Sequence, residues 1–90
     1  MNKKRIVITG VGVLSPLGMG KDVYWNALQN GKSGIKPITL FDTSGFKVNL
    51  GGEISDFRPK EIFDKKKIID FDRSTTLLLA SAQSALEDAQ

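Results

Sequence analysis

Neither cysteine nor histidine occurs among the 90 residues. Without them the chain cannot form a disulfide, a Cys–His or Ser–His catalytic unit, or a zinc site of the usual ligands. The absence of cysteine leaves nothing that points to an oxidising compartment, so the cytoplasm is the expected location. No apolar run approaches the roughly 20 residues of a membrane-spanning helix, and no membrane association is expected. Aromatic residues make up only 8% of the chain. They are not interleaved with its two basic clusters, Lys3-Lys4-Arg5 and Lys65-Lys66-Lys67, which argues against a nucleic-acid surface. The formal charge of +3 supports no more than a weak attraction to an acidic partner.

What remains is the composition of a small globular chain, 40% apolar and 26% charged. At this length one domain is the most that fits, burying roughly 60–65% of its unfolded surface. The basic start followed by apolar residues imitates a secretory signal. However, its apolar part is short, β-branched and glycine-containing, and no small-x-small cleavage site follows.

Residues 5–14 (RIVITGVGVL) are apolar nearly throughout, the pattern of a strand buried on both faces in a parallel sheet. Pro16 ends it, and residues 17–21 form a turn with Gly18 and Gly20. Residues 22–30 (DVYWNALQN) predict a short helix carrying Tyr24, Ala27 and Leu28 on one face and Gly31 just past its end. Residues 31–45 read as loop. Residues 46–50 (FKVNL) alternate like a half-exposed strand, and Gly51-Gly52 permit a bend or bulge. Pro59 suits the first position of a helical turn.

Residues 70–90 predict the longest helix. Phe71, Thr75, Leu78, Ala82, Ala85 and Ala89 recur at helical spacing, and Leu79 and Leu86 widen that stripe. Its small residues suit packing on more than one side. A buried parallel strand needs a parallel partner, yet no second strand of that kind appears. The final helix also reaches Gln90 without a glycine cap, so the sequence reads as truncated, and the 90 residues alone are expected to fold poorly.

Residues 7–20 (VITGVGVLSPLGMG) invite comparison with a phosphate-binding turn. In the dinucleotide pattern G-x-G-x-x-G, Gly10 and Gly12 fit but Ser15 stands at the third glycine, followed by Pro16. In the Walker pattern Gly20-Lys21 fits, but Ser15 replaces the opening glycine and Asp22 the magnesium-binding hydroxyl. No cofactor is therefore expected. Gly10 and Gly12 are two apart and share a strand face, so the glycines read as a strip that another backbone can approach. A nucleotide-binding oxidoreductase domain stands as the alternative of another class, and a small non-catalytic module binding an acidic partner through Lys65, Lys66 and Lys67 as a third.

Other residues read as structural. Trp25 reads as a packing residue. Ser15, Thr75 and Thr76 have no histidine to activate them. Asp42-Thr43-Ser44 reads as turn chemistry, and Glu53 and Asp56 as surface carboxylates with nothing to separate their pKa values.

Five stretches carry a more specific signal. VITGVGVLSPLG, WNALQNGKSGI, ITLFDTSGF, GGEISDFRP and DRSTTLLLASAQSALEDA, in this order, resemble the opening of β-ketoacyl-acyl carrier protein synthases. The nearest likeness is to the elongating type II enzymes, the synthase II kind, and it runs from about residue 4 to residue 90. The resemblance implies an α/β, thiolase-like layered fold. Residues 1–90 would supply its first strand, a surface helix, a peripheral strand and a central buried helix as the N-terminal part of a ketosynthase domain.

The activity implied is a decarboxylating Claisen condensation in fatty acid synthesis, an acyltransferase reaction performed by a cysteine and two histidines that this chain lacks. No catalytic residue is therefore assigned here. A polyketide ketosynthase, or its non-catalytic partner subunit, is the close alternative. The implied partners are acyl carrier protein and a second copy of the enzyme. In the family, a basic stretch before the long helix, roughly Arg-Lys-Glu-x-Arg-Arg-Met-Asp, contacts the carrier protein. Lys65 and Lys66 retain its first basic positions and Lys67 adds another, whereas Ile69 and Asp70 replace the later basic pair.

Overall fold

In the computed structural model, which describes residues 3–90, residues 3–13 join no hydrogen-bonded strand. The first two residues of the expected 1–90 unit lie outside the described part. Eight short elements follow: β1 (Leu14–Ser15), β2 (Gly18–Met19), α1 (Lys21–Gln29), β3 (Ile35–Pro37), β4 (Leu50–Gly52), α2 (Pro59–Ile62), α3 (Lys65–Ile68) and α4 (Arg73–Ala89).

The expected buried strand is thus not formed among the described residues, and Ile6 is 94% exposed. The reason is physical: a strand exists by pairing, and these residues offer no parallel partner. Instead the segment lies along α4, running antiparallel to it. A Cβ placed on Gly12 would stand 2.7 Å from the Ala85 nitrogen and closer still to the Ser81 carbonyl oxygen. One placed on Gly10 would meet Ala89 at 2.8 Å. The bare glycine face therefore touches helix backbone, as the two-residue spacing implied.

The turn after this segment is a hairpin, not a loop. β1 and β2 pair antiparallel, Leu14 opposite Met19 and Ser15 opposite Gly18, around Pro16 and Leu17. The Ser15 hydroxyl accepts from the Leu17 N–H at 3.2 Å and donates to the Gly18 carbonyl at 3.3 Å. Helix α1 matches its expected position. It ends in a Schellman arrangement, with Gly31 N–H donating to the Leu28 carbonyl and Lys32 N–H to that of Ala27. Gly31 takes φ 67°, which a side chain would disfavour. Ala27 is buried and Tyr24 half-buried, but Leu28 and Trp25 are exposed. Trp25, read from the sequence as a packing residue, is 60% exposed among the described residues.

The second pairing also departs from the alternation pattern. β3 and β4 form an antiparallel pair, Ile35 opposite Gly52 and Pro37 opposite Leu50. The strand expected over residues 46–50 thus begins only at Leu50, and β3 falls where loop was expected. Phe46 and Val48 stay exposed because alternation fixes a strand only where one face has something to cover it. Gly51 and Gly52 sit inside β4 without a bulge, Gly52 lying against Pro16.

Helix α4 begins at Arg73, where the Asp72 carboxylate accepts from the Thr75 N–H at 2.7 Å. Phe71 lies before the helix. The face that α4 covers is the small one, with Thr76, Ala80, Ser81 and Ala85 buried or half-buried. Thr76, at 2% exposure, donates its hydroxyl to the Arg73 carbonyl at 2.9 Å, and Ser81 donates to that of Leu77 at 3.0 Å. Their hydroxyls need no external partner, so a polar but small face can be buried. The leucine stripe is left bare, with Leu78 69% and Leu86 75% exposed.

Besides Ala27 and Ala80, only Phe57 and Ile68 among the apolar side chains of the described residues are buried. The Cα radius of gyration is 16.7 Å, against about 12 Å for a compact domain of this length. No helix among the described residues is long and apolar enough to cross a membrane.

Candidate functional site

The basic stretch is built between two caps. α2 opens with Pro59 at its first position and closes at Phe63, whose backbone turns extended. Asp64 then caps α3, its carboxylate accepting from the Lys66 N–H at 3.0 Å. α3 is a single turn holding Lys65, Lys66, Lys67 and the buried Ile68. Ile68 anchors the turn, and the three lysines are exposed. Successive helical positions turn by about 100°, so the lysines fan outward instead of converging on one point. None of the three forms an ion pair among the described residues.

Beside the lysines lies a cleft of about 420 Å³ between α2, α3 and α4. Pro59, Ile68, Ile69 and Phe71 supply its apolar wall, and Lys60 and Lys65 also line it. Ile69 is 78% exposed at this wall. Residue type alone gave no sign of the cleft, because it arises from the angle between α2, α3 and α4.

Arg73 fixes the far side. Its guanidinium donates to the Ile54 carbonyl and, at 3.5 Å, to that of Phe57, and stands 5.5 Å from the centroid of the Phe57 ring. These contacts hold residues 54–57 against the start of α4.

The carboxylates resolve into structural roles. Glu53 accepts from the Thr39 N–H at 2.7 Å, the Leu40 N–H at 2.9 Å and the Thr39 hydroxyl at 3.1 Å. The Thr39 and Leu40 N–H groups hold its pKa below the usual 4.5, so it is a clamp on the β3–β4 loop and takes no part with the exposed Asp56. Asp42 accepts from the Ser44 N–H and hydroxyl, both at 2.9 Å, the turn its sequence suggested. Asp88 accepts from Lys21 at 2.5 Å and from the Val11 N–H at 3.0 Å, tying α1 and the glycine segment to the end of α4. Lys21 and Val11 keep the Asp88 pKa below the usual range, and Asp88 raises that of Lys21 above 10.5.

These contacts dispose of the phosphate-site alternative. Gly10 and Gly12 face helix backbone, Ser15 and Pro16 form a hairpin turn, and Lys21, the Walker-like lysine, is paired with Asp88. Thr75 and Thr76 serve the start of α4. Among the described residues no group of three or more metal-ligating side chains is gathered.

Comparison with known proteins agrees with the resemblance in the sequence. The family described as "Beta-ketoacyl synthase, N-terminal domain" matches residues 3–90. A 3-oxoacyl-(acyl-carrier-protein) synthase 2 from Coxiella burnetii is 46% identical over 89 residues, covering 99% of this chain and 22% of that protein. Its counterpart from Synechocystis sp. is 38% identical over 90 residues, covering 100% of this chain and 22% of that protein. Among solved structures, the ishigamide ketosynthase/chain length factor superposes with a TM-score of 0.83 at 40% identity. That match covers 92% of this chain and 21% of the other. The chain thus spans about a fifth of the length of these relatives. Its short strands and long small-faced helix are the opening part of the ketosynthase, thiolase-like α/β fold. The chain belongs to the β-ketoacyl synthase family, whose N-terminal domain it matches over residues 3–90.

Proposed function

We propose that residues 1–90 are the first part of the ketosynthase domain of a 3-oxoacyl-(acyl carrier protein) synthase, an acyltransferase of fatty acid synthesis. The observation that carries this reading is the unbroken family match over residues 3–90, together with 46% identity to a synthase 2. The whole enzyme would take an acyl group from its carrier protein onto a cysteine thiolate. Malonyl carrier protein would then lose CO₂, and its carbanion would attack the acyl thioester carbon, expelling the cysteine thiolate. A helix N-terminus lowers the pKa of such a thiol, and N–H groups can hold the thioester oxyanion. None of these 90 residues supplies that chemistry. Their contribution would be to build the fold and to present Lys65, Lys66 and Lys67 to an acidic carrier protein. The intact enzyme would act as a homodimer in the cytoplasm, with no cofactor.

The test is direct. The native protein, detected through peptides of this region, should have a mass several times 9.8 kDa. Given acyl and malonyl carrier protein, it should release CO₂ and form the 3-oxoacyl product. Failure to condense with fatty-acid-type carrier protein would overturn the assignment. Replacing Lys65 and Lys66 together by Glu should weaken carrier binding and flatten its salt dependence. A salt dependence identical to wild type would remove the lysines from the docking surface.

One observation favours a second reading, a polyketide ketosynthase or its non-catalytic partner subunit. The likeness to the ishigamide ketosynthase/chain length factor is as high as 40% in sequence. An active-site cysteine in the native protein would exclude the non-catalytic subunit.

A further inference from the structure

The end of α1 sets an exposed asparagine directly before a glycine. Asn30 closes the helix with φ −89° and ψ 5°, and its side chain lies in solvent. The Asp42 and Ser33 side chains bond nearby backbone N–H groups, whereas the Asn30 carboxamide holds no hydrogen bond among the described residues. The next backbone nitrogen belongs to Gly31, which has no side chain to shield it and only open space where a Cβ would stand. Its N–H donates to the Leu28 carbonyl at 3.1 Å. That bond sits in the last turn, where helices fray first. The other asparagines of the described residues are placed differently. Asn26 lies inside α1 before the buried Ala27, and Asn49 precedes Leu50, whose backbone enters β4.

We infer that Asn30 is a modification site, where the chain loses ammonia without an enzyme and becomes aspartyl or isoaspartyl. Asparagine is among the thermally labile residues, and this one has both an unheld amide and an unshielded nucleophile. When the last turn opens, the Gly31 nitrogen gives its proton to hydroxide and attacks Cγ of Asn30. The N–Cγ bond forms, the bond from Cγ to Nδ2 breaks, and Nδ2 leaves as ammonia with a proton from water. Water then opens the cyclic imide. Attack at Cγ restores the ordinary peptide bond and leaves aspartate; attack at the main-chain carbonyl leaves isoaspartate. Nothing is oxidised or reduced, and the net change is water taken up and ammonia released. The product is unfavourable for α1. Its last turn carries no basic residue, so the new carboxylate meets the unpaired carbonyls at the negative end of the helix. Isoaspartate also lengthens the main chain by a methylene, which disturbs the bonds from Gly31 and Lys32 to the Leu28 and Ala27 carbonyls.

The experiment incubates the intact native protein in mildly alkaline buffer, with and without urea, and follows each asparagine by peptide mapping. Asn30 is expected to convert to separable aspartyl and isoaspartyl peptides while Asn26 and Asn49 remain amides. Hydroxylamine, which traps the imide, should cut the ageing chain between residues 30 and 31, and Asn30→Gln should abolish that cut. The native rate should lie below the rate in urea by no more than about tenfold, because a fraying helix end opens at little cost. In urea, where the helix end is gone, Gly31→Ala should slow conversion several-fold by shielding the nitrogen. Asn30→Asp should melt below wild type. An Asn30 that stays an amide in the native protein, or converts no faster than Asn26 or Asn49, would overturn the site. Conversion of Gly31→Ala in urea at the wild-type rate would overturn the role of the bare glycine. An Asn30→Asp protein as stable as wild type would overturn the effect on α1.

Discussion

Substituting Gly12 by Ala tests the contact on which this arrangement of strand and helix depends. The new methyl group would lie 2.7 Å from the Ala85 nitrogen and nearer still to the Ser81 carbonyl oxygen. Ordinary carbon contacts lie at about 3.5–4 Å, so the glycine segment and α4 must separate by more than about 1 Å, the Ser81 carbonyl oxygen setting the distance. Both opposing atoms are helix backbone, so no rotamer change can relieve the clash. Overpacking of this kind costs about 1–3 kcal/mol. The reduced freedom of the unfolded chain returns only about 0.4–1 kcal/mol for a Gly→Ala change. The net expectation is a loss of about 1–2 kcal/mol, read as a lower urea midpoint at unchanged m-value in the intact protein. Adding Ser81→Ala should not restore stability, because the obstructing atom belongs to the main chain. A stability equal to or above wild type in Gly12→Ala would refute the close approach of segment and helix. Rescue by Ser81→Ala would refute the claim that backbone is what resists.

Two further predictions concern ionised clamps. Glu53 is held below its usual pKa by the Thr39 and Leu40 N–H groups, so its stabilising effect is present above pH 4.5 and fades as the pH falls through its lowered value. Glu53→Gln should therefore melt below wild type at neutral pH, with the two melting temperatures converging in acid; a gap that widens in acid would contradict the clamp. Asp88→Asn should lower the melting temperature by removing the bond to Lys21, and the difference should shrink below pH 3.8 as wild-type Asp88 protonates. It should also shrink as pH rises through the raised pKa of Lys21, above 10.5, and the effect should be small in concentrated salt because the pair is exposed. Melting curves of the two proteins across pH decide both points.

Local chemistry carried its own information in the chain. Pro59 marked the first position of α2, Gly31 the end of α1, and the two-residue spacing of Gly10 and Gly12 their shared face against another backbone. Each follows from a fixed φ, an absent Cβ or the strand period, quantities that a residue brings with it. The five collinear stretches likewise placed the chain in its family before any coordinates.

Burial and pairing were decided elsewhere. Residues 5–13 of the apolar run have strand composition but join no strand, because pairing needs a second set of N–H and C=O groups that the described residues do not place beside them. On α4, apolarity pointed to the leucines, yet the buried face is that of Thr76, Ala80 and Ser81. Closeness of approach governs that choice: a side-chain-free glycine strip fits only against small residues whose hydroxyls bond their own helix. The lysines of α3 were legible as charge. The cleft beside them was not, since it depends on how three separately capped helices meet, and no residue specifies an angle between helices by itself.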